Sequence, residues 1–155
     1  YDEIMGNIIN VRGKISKHYE KCLSILKNKS EEDINDIIRK LSSFCKYNRK
    51  TASANYLSID ELRIMQRSKV IYYGSHTVSH KILTNLNIVT IKYELEESKE
   101  WLVKNELVDV EFIPFSYPNG NYNSFIEELV IDAGYHLAVT TEKKLNTIST
   151  DRFKL

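Results

Sequence analysis

Apolar positions in the first third of the chain recur at helical spacing. Between residues 14 and 28, Ile15, Tyr19, Cys22, Leu23 and Leu26 return every three or four positions, the period of one helix face. Ser30 then opens a second helix, with Asp33 at the capping-box position and Ile34, Ile37, Ile38, Leu41 and Phe44 as its stripe. The two read as a helical hairpin that packs and carries no catalytic group. Lys46 to Asn55 is polar and reads as a linker or exposed loop. Residues 1–55 are therefore expected to form one element, an insertion or linker, and 56–155 another.

The pattern changes at residue 58. Ser58-Ile59-Asp60-Glu61 is a capping box, and Leu57 with Leu62 can form the hydrophobic staple of a helix running to about Arg67. A strand is predicted over 69–73, from the run Val70-Ile71-Tyr72-Tyr73. Asn87 can cap the next helix, which runs to about Asn105. Its inward stripe is Ile91, Leu95, Ser98 and Leu102, and its solvated face is Lys92, Glu96, Lys99 and Glu100. A strand over 111–116, a helix over 123–133 closed by Gly134, and a strand over 135–141 complete the series. Helix and strand alternate from residue 57 onward, which argues for parallel strands joined by right-handed helical crossovers. Three strands cannot close a barrel, so either the sheet is open or its remainder belongs to other sequence.

Between the first predicted strand and the next helix lies Gly74-Ser75-His76-Thr77-Val78-Ser79-His80. On a helical turn, residues four apart share a face, so His76 and His80 could hold one divalent metal, most readily zinc, through neutral imidazole nitrogens. With an open coordination position, such a metal supports hydrolysis near neutral pH. The pair follows a strand end, where α/β folds of barrel type place their chemistry. The competing reading is a pair of surface or capping histidines.

Composition narrows the field without choosing a reaction. The chain has 155 residues, 42% hydrophobic and 28% charged, the balance of one soluble globular domain. A net charge of +1 disfavours nucleic-acid binding by bulk electrostatics. No apolar run approaches the ~20 residues needed to cross a bilayer. Tyr1-Asp2-Glu3 resembles neither a translation start nor a signal peptide, so a piece of a longer protein is expected. Cys22 and Cys45 lack the spacing of a structural zinc site. They are either buried free thiols or, in an exported protein with antiparallel helices, a pair.

Four motifs taken together resemble the polysaccharide deacetylases, the NodB-homology enzymes of carbohydrate esterase family 4. They are Gly-Ser-His-Thr-Val-Ser-His at 74–80, Tyr-Glu-Leu-Glu-Glu-Ser-Lys at 93–99, Phe-Ser-Tyr-Pro-Asn-Gly at 115–120, and Ala-Gly-Tyr-His-Leu-Ala-Val-Thr-Thr at 133–141. The likeness spans roughly residues 56–155, as the C-terminal part of the domain. It implies a distorted (β/α) barrel, incomplete in this chain, that removes acetyl groups from N-acetylglucosamine units of chitin-like polymers, peptidoglycan or poly-N-acetylglucosamine. It implies a divalent metal, zinc first, held by His76 and His80 and one Asp, with Ser75 and Thr77 bracing the loop. The turn Tyr117-Pro118-Asn119 would sit at the catalytic centre, the backbone N–H of Asn119 serving the oxyanion. Leu137 and Val139 would shape the acetyl pocket. His136 reads as a bland residue that precedes the apolar core of its strand and points outward. The family also implies an extracellular or cell-envelope setting and an N-acetylated glycan as partner.

Three departures qualify that expectation. Ser116 stands where the family places an arginine, and Asn119 where it places an aromatic. The family's opening Thr-Phe-Asp-Asp strand, source of the metal-binding Asp and the general base, has no counterpart, and Asp109, Asp132 and Asp151 sit in the wrong contexts. The chain alone is therefore expected to bind metal weakly and not to turn over. A degenerate, non-catalytic glycan-binding domain is the alternative, and a scaffold with an accidental histidine pair the third reading. An incomplete barrel exposes apolar edges, so dimerisation through them or partial disorder is expected.

Overall fold

A computed structural model of the chain describes residues 15–44 and 56–155. It divides into two compact units, within Tyr1–Asn55 and Tyr56–Leu155. The first contains α1 (Ile15–Leu26) and α2 (Glu31–Phe44). The Ser30 hydroxyl accepts from the Asp33 amide at 3.1 Å, the expected cap of α2. Ile37 is the buried residue of that helix, while Ile38 faces solvent although it belongs to the predicted stripe. Cys22 is a free, half-buried thiol. Cys45, the Lys46–Asn55 stretch and residues 1–3 lie outside the described residues, as do the side chains of Ile15 and Phe44.

The second unit alternates helix and extended chain. Its helices are α3 (Ile59–Arg67), α4 (Ile88–Lys104) and α5 (Ser124–Asp132), and its strands β1 (Pro114–Ser116) and β2 (Leu137–Val139). The capping signals act where the side chains predict. Ser58 and Glu61 form the reciprocal box at α3, and the Asn87 carboxamide accepts from the Thr90 amide at 2.9 Å. Asn123 caps α5 in the same way, accepting from Ile126 at 2.9 Å. At the far end of α5, Gly134 takes a φ of 77°. Its amide and that of Tyr135 reach back to Ile131 and Val130, the paired bonds of a Schellman stop.

The sheet is parallel throughout. Pro114, Phe115 and Ser116 lie beside Leu137, Ala138 and Val139. On the other edge of β1, Ser75 donates its amide to Pro114 at 2.9 Å and accepts from Ser116 at 2.8 Å. A fourth segment that the hydrophobic pattern does not announce flanks β2: Ala138 donates to Arg152 at 2.9 Å and Thr140 to Leu155 at 2.6 Å. Both bonds advance along both segments in the same direction, so this contact is parallel too. Among the described residues the sheet is an open one of two strands, with Ser75 and the 152–155 segment hydrogen-bonded at its edges, and no barrel is closed.

The strands are shorter than predicted. The run over 69–73 is not a strand: Lys69 turns the chain out of α3 at a φ of 59°, and pairing begins only at Ser75. A strand is made by its partner, and Val70 and Tyr72, 78% and 77% exposed, have none beside them among the described residues. Residues 109–112 form a turn, tied by the Asp109 carboxylate to the Glu111 amide, so β1 starts at Pro114 rather than at 111.

Alternation along the strands sets the core. Phe115 and Ala138 point into a cluster with Ile91 and Leu95 of α4 and Ile126, Leu129 and Val130 of α5, joined by Tyr117, Tyr135 and Phe153. Pro114, Ser116, Leu137 and Val139, on the opposite face, remain partly exposed. The predicted inward residues of α4 are all buried, and Glu94 is buried among them. Lys99 departs from the predicted solvated face. Its ammonium donates to the carbonyls of Ala133 and Gly134 at 2.7 and 3.1 Å, closing the negative end of α5.

Candidate metal centre

The histidine pair sits at the C-terminal end of the sheet. Ser75 is drawn into the sheet by its backbone bonds to β1, so the next residue, His76, leaves the edge beside the end of that strand. Its Nδ1 lies 2.7 Å from the Ser116 carbonyl oxygen. A carbonyl only accepts, so Nδ1 carries the proton and the neutral ring keeps its Nε2 lone pair for a ligand. Fixing the tautomer through the other nitrogen is how proteins orient metal-binding imidazoles. The His80 ring stands edge-on to that of His76, with 4.6 Å between centroids and 80° between planes.

The two rings meet without a helix. Residues 74–80 form a tight loop, so the helical turn predicted from the four-residue spacing does not exist. Thr77 and His80 both adopt left-handed backbone, at φ of 67° and 59°. Such conformations cost non-glycine residues about 1–3 kcal/mol each and persist only where surroundings enforce them. The Thr77 hydroxyl accepts from the His80 amide at 3.0 Å, across the loop. Ser75 is 3% exposed and shares a 2.7 Å hydrogen bond with Ser98 of α4. Glu94, one turn earlier on α4, accepts from the amides of Val78 and Ser79 at 2.8 and 2.9 Å and from the Ser79 hydroxyl. The periodicity carries a signal for Glu94: it falls on the apolar face, between Ile91 and Ser98, where an acid needs a reason to be.

The turn after β1 completes the same end of the sheet. Pro118 and Tyr117 are buried, and Asn119 is exposed with a φ of 58°. Gly120 follows at a φ of 72°, and a Cβ there would meet the Thr141 side chain at 2.1 Å, so only glycine fits. The amides of Gly120 and Asn121 bond back to Tyr117 and Pro118. The Asn119 amide has no acceptor among the described residues, which leaves it free to donate to a ligand. Tyr117 packs edge-on to Phe115 and stacks on Tyr122, its hydroxyl without a hydrogen-bond partner. Burial, then the neighbouring Glu127 carboxylate, pushes its ionisation well above the ordinary range. Such a hydroxyl is no proton donor or acceptor for a surface reaction. Val139 lies beside Ser116 on the open face of the sheet, and Leu137 two residues earlier on that face.

His136 sits at the opposite end of the strands. Its Nδ1 accepts from the Ile113 amide, and its own amide donates to the Ile113 carbonyl, both at 3.0 Å. The ring is therefore tied to the backbone just ahead of β1 and does not simply point outward.

The donor set fits a borderline divalent cation such as zinc, for which two imidazole nitrogens supply two of the three protein ligands of a catalytic site. Among the described residues no group of three or more His, Cys, Asp or Glu side chains converges. Asp109 and Asp151 are engaged in their own turns, and Asp132 ends α5. A cavity of about 400 Å³ adjoins His76, between the loop and α4, with Tyr93, Glu97 and Trp101 on its wall.

A profile of the polysaccharide deacetylase family matches residues 13–138 of the chain. No curated protein matches it. Among solved structures, the Streptococcus pyogenes deacetylase PplD in complex with acetate is similar, with a TM-score of 0.56 at 24% identity over 68% of this chain. The match covers 45% of that protein, so the chain spans less than half its length. At that identity the likeness is one of fold.

Proposed function

Because the chain belongs to the polysaccharide deacetylase family, we propose that it supplies the histidine pair and the oxyanion donor of a metal-dependent site that removes N-acetyl groups from N-acetylglucosamine-containing polysaccharide. The observation that carries this reading is the edge-on approach of His76 and His80 at 4.6 Å, with the Nδ1 of His76 tied to Ser116. When bound, a divalent cation, zinc by the nature of the donors, would polarise the acetamide carbonyl and acidify water. His76 would hold it through Nε2 and His80 through its ring. Thr77 and Ser75 keep the loop in place, and Ser116 keeps the His76 tautomer. The free Asn119 amide would donate to the acetamide oxygen as negative charge develops there, a role that needs no particular side chain and tolerates Asn in place of an aromatic. Val139 and Leu137, on the open sheet face, would flank the acetyl methyl. The third ligand and the general base are assigned to no described residue. On this reading the glycan substrate would be met at the cell surface or outside the cell.

One observation favours a second reading, a glycan-binding domain without turnover: no carboxylate among the described residues joins the two imidazoles. Zinc bound per chain decides first, measured by competition titration for the wild type and His80→Ala. Zinc bound by the wild type and lost in His80→Ala is expected. Equal binding by both would remove the metal site from this place. Release of amine from N-acetylglucosamine oligomers by the zinc-loaded protein would then separate the enzyme from the non-catalytic binder.

A further inference from the structure

We infer that Glu94 is a positioning residue: its buried carboxylate moulds the 77–80 loop into the shape that brings the two imidazoles edge to edge. The inference rests on the metal-site reading and adds a residue to it. Glu94 is 2% exposed, yet every hydrogen bond described for its carboxylate comes from that loop. One oxygen takes both backbone amides, of Val78 and Ser79, and the other takes the Ser79 hydroxyl. The three donors lie between the two left-handed residues Thr77 and His80. Without an acceptor at that point, two adjacent amides would turn inward unsatisfied, and the loop would relax toward ordinary backbone. Ser98, one helical turn away, holds Ser75 at 2.7 Å on the other side of His76. Helix α4 thus grips the histidine motif before the first ring and between the two rings. Burying an acid on an apolar helix face is costly unless its acceptors are filled, and here the loop fills them.

Four variants test this: Glu94→Ala, Glu94→Gln, Ser79→Ala, and Val130→Ala as a core cavity in α5 away from the loop. Two readouts are needed. Ring-to-ring nuclear Overhauser contacts between His76 and His80, taken without metal, report the loop shape. Zinc competition reports its consequence. Glu94→Ala should lose the ring contacts and bind zinc about 10–100-fold more weakly, the usual penalty for removing a ligand-orienting partner. Glu94→Gln should stay close to wild type, because its amide oxygen keeps both backbone donors and its NH₂ can donate to the Ser79 hydroxyl. Ser79→Ala, on an exposed residue, should fold normally and show a smaller loss, and it decides the matter if Glu94→Ala does not fold. Val130→Ala should keep contacts and affinity despite lower stability. Wild-type contacts in Glu94→Ala, or in Ser79→Ala where it decides, overturn the inference. Losses in Val130→Ala as large as in Glu94→Ala overturn it as well. If the wild type binds no zinc, the metal reading falls, and the ring contacts alone still judge Glu94.

Discussion

At the scale of the residue, the site is built from backbone that most side chains avoid. Thr77, His80 and Asn119 all sit at positive φ, and each carries a group that the proposed site would use: the loop hydroxyl, an imidazole, and a backbone amide. Tyr117 is the opposite case. The motif Tyr117-Pro118-Asn119 suggests a residue of the catalytic centre, but its ring belongs to the core and its hydroxyl is buried without a partner. Deleting that hydroxyl should therefore relieve an unsatisfied group rather than remove a function. We expect Tyr117→Phe to be as stable as the wild type or more so, by up to about 1–3 kcal/mol in urea unfolding, with unchanged zinc binding. A destabilisation, or a loss of metal, would show that the hydroxyl finds a partner in solution. Glu94 and Lys99 teach a related lesson. Both are charged positions on one helix, yet one is buried to hold a loop and the other reaches across to close α5.

At the scale of the element, caps were legible and strand lengths were not. Ser58, Asn87 and Gly134 act through hydrogen bonds to residues three to five positions away, so their neighbours in sequence are enough to identify them. Strand length depends on what lies alongside, which is why the apolar run at 69–73 stays unpaired while 152–155 is recruited beside β2. That last segment is held by Asp151. The Phe153 amide, then the Lys154 ammonium, holds its carboxyl below the ordinary carboxylate range. A depressed folded-state value stabilises the fold at and above the ordinary value, and the contribution disappears as pH falls through the depressed one. Lys154 also reaches Glu127 of α5 at 3.0 Å, so the turn is tied to a helix as well as to β2. Asp151→Asn should lower stability at neutral pH and flatten the loss of stability on the acid side of pH 4. Parallel acid-unfolding curves for the two proteins would show that Asp151 has no part in it.

At the scale of the molecule, the 56–155 unit is a one-sided sheet: among its described residues, helices pack on one face, and the side chains of the other face remain partly exposed. Val70, Tyr72 and Val89 are each more than three-quarters exposed, and exposed apolar side chains invite association. We propose that the chain self-associates through these side chains. Sedimentation should show weight-average mass rising with concentration, less so for Tyr72→Lys; a monomer at every concentration would end that proposal. The histidine spacing, the caps and the inward stripe of α4 were determined by the sequence by itself, because each is a relation between residues a few positions apart. The family resemblance could be read from four short motifs for the same reason. Only the tertiary structure decided that the imidazoles meet on a loop rather than a helix, that Glu94 turns inward to shape that loop, that Tyr117 is core, and that residues 152–155 extend the sheet. Each of those depends on groups far apart in sequence, and on which of them the packed helices and strands bring within hydrogen-bonding distance.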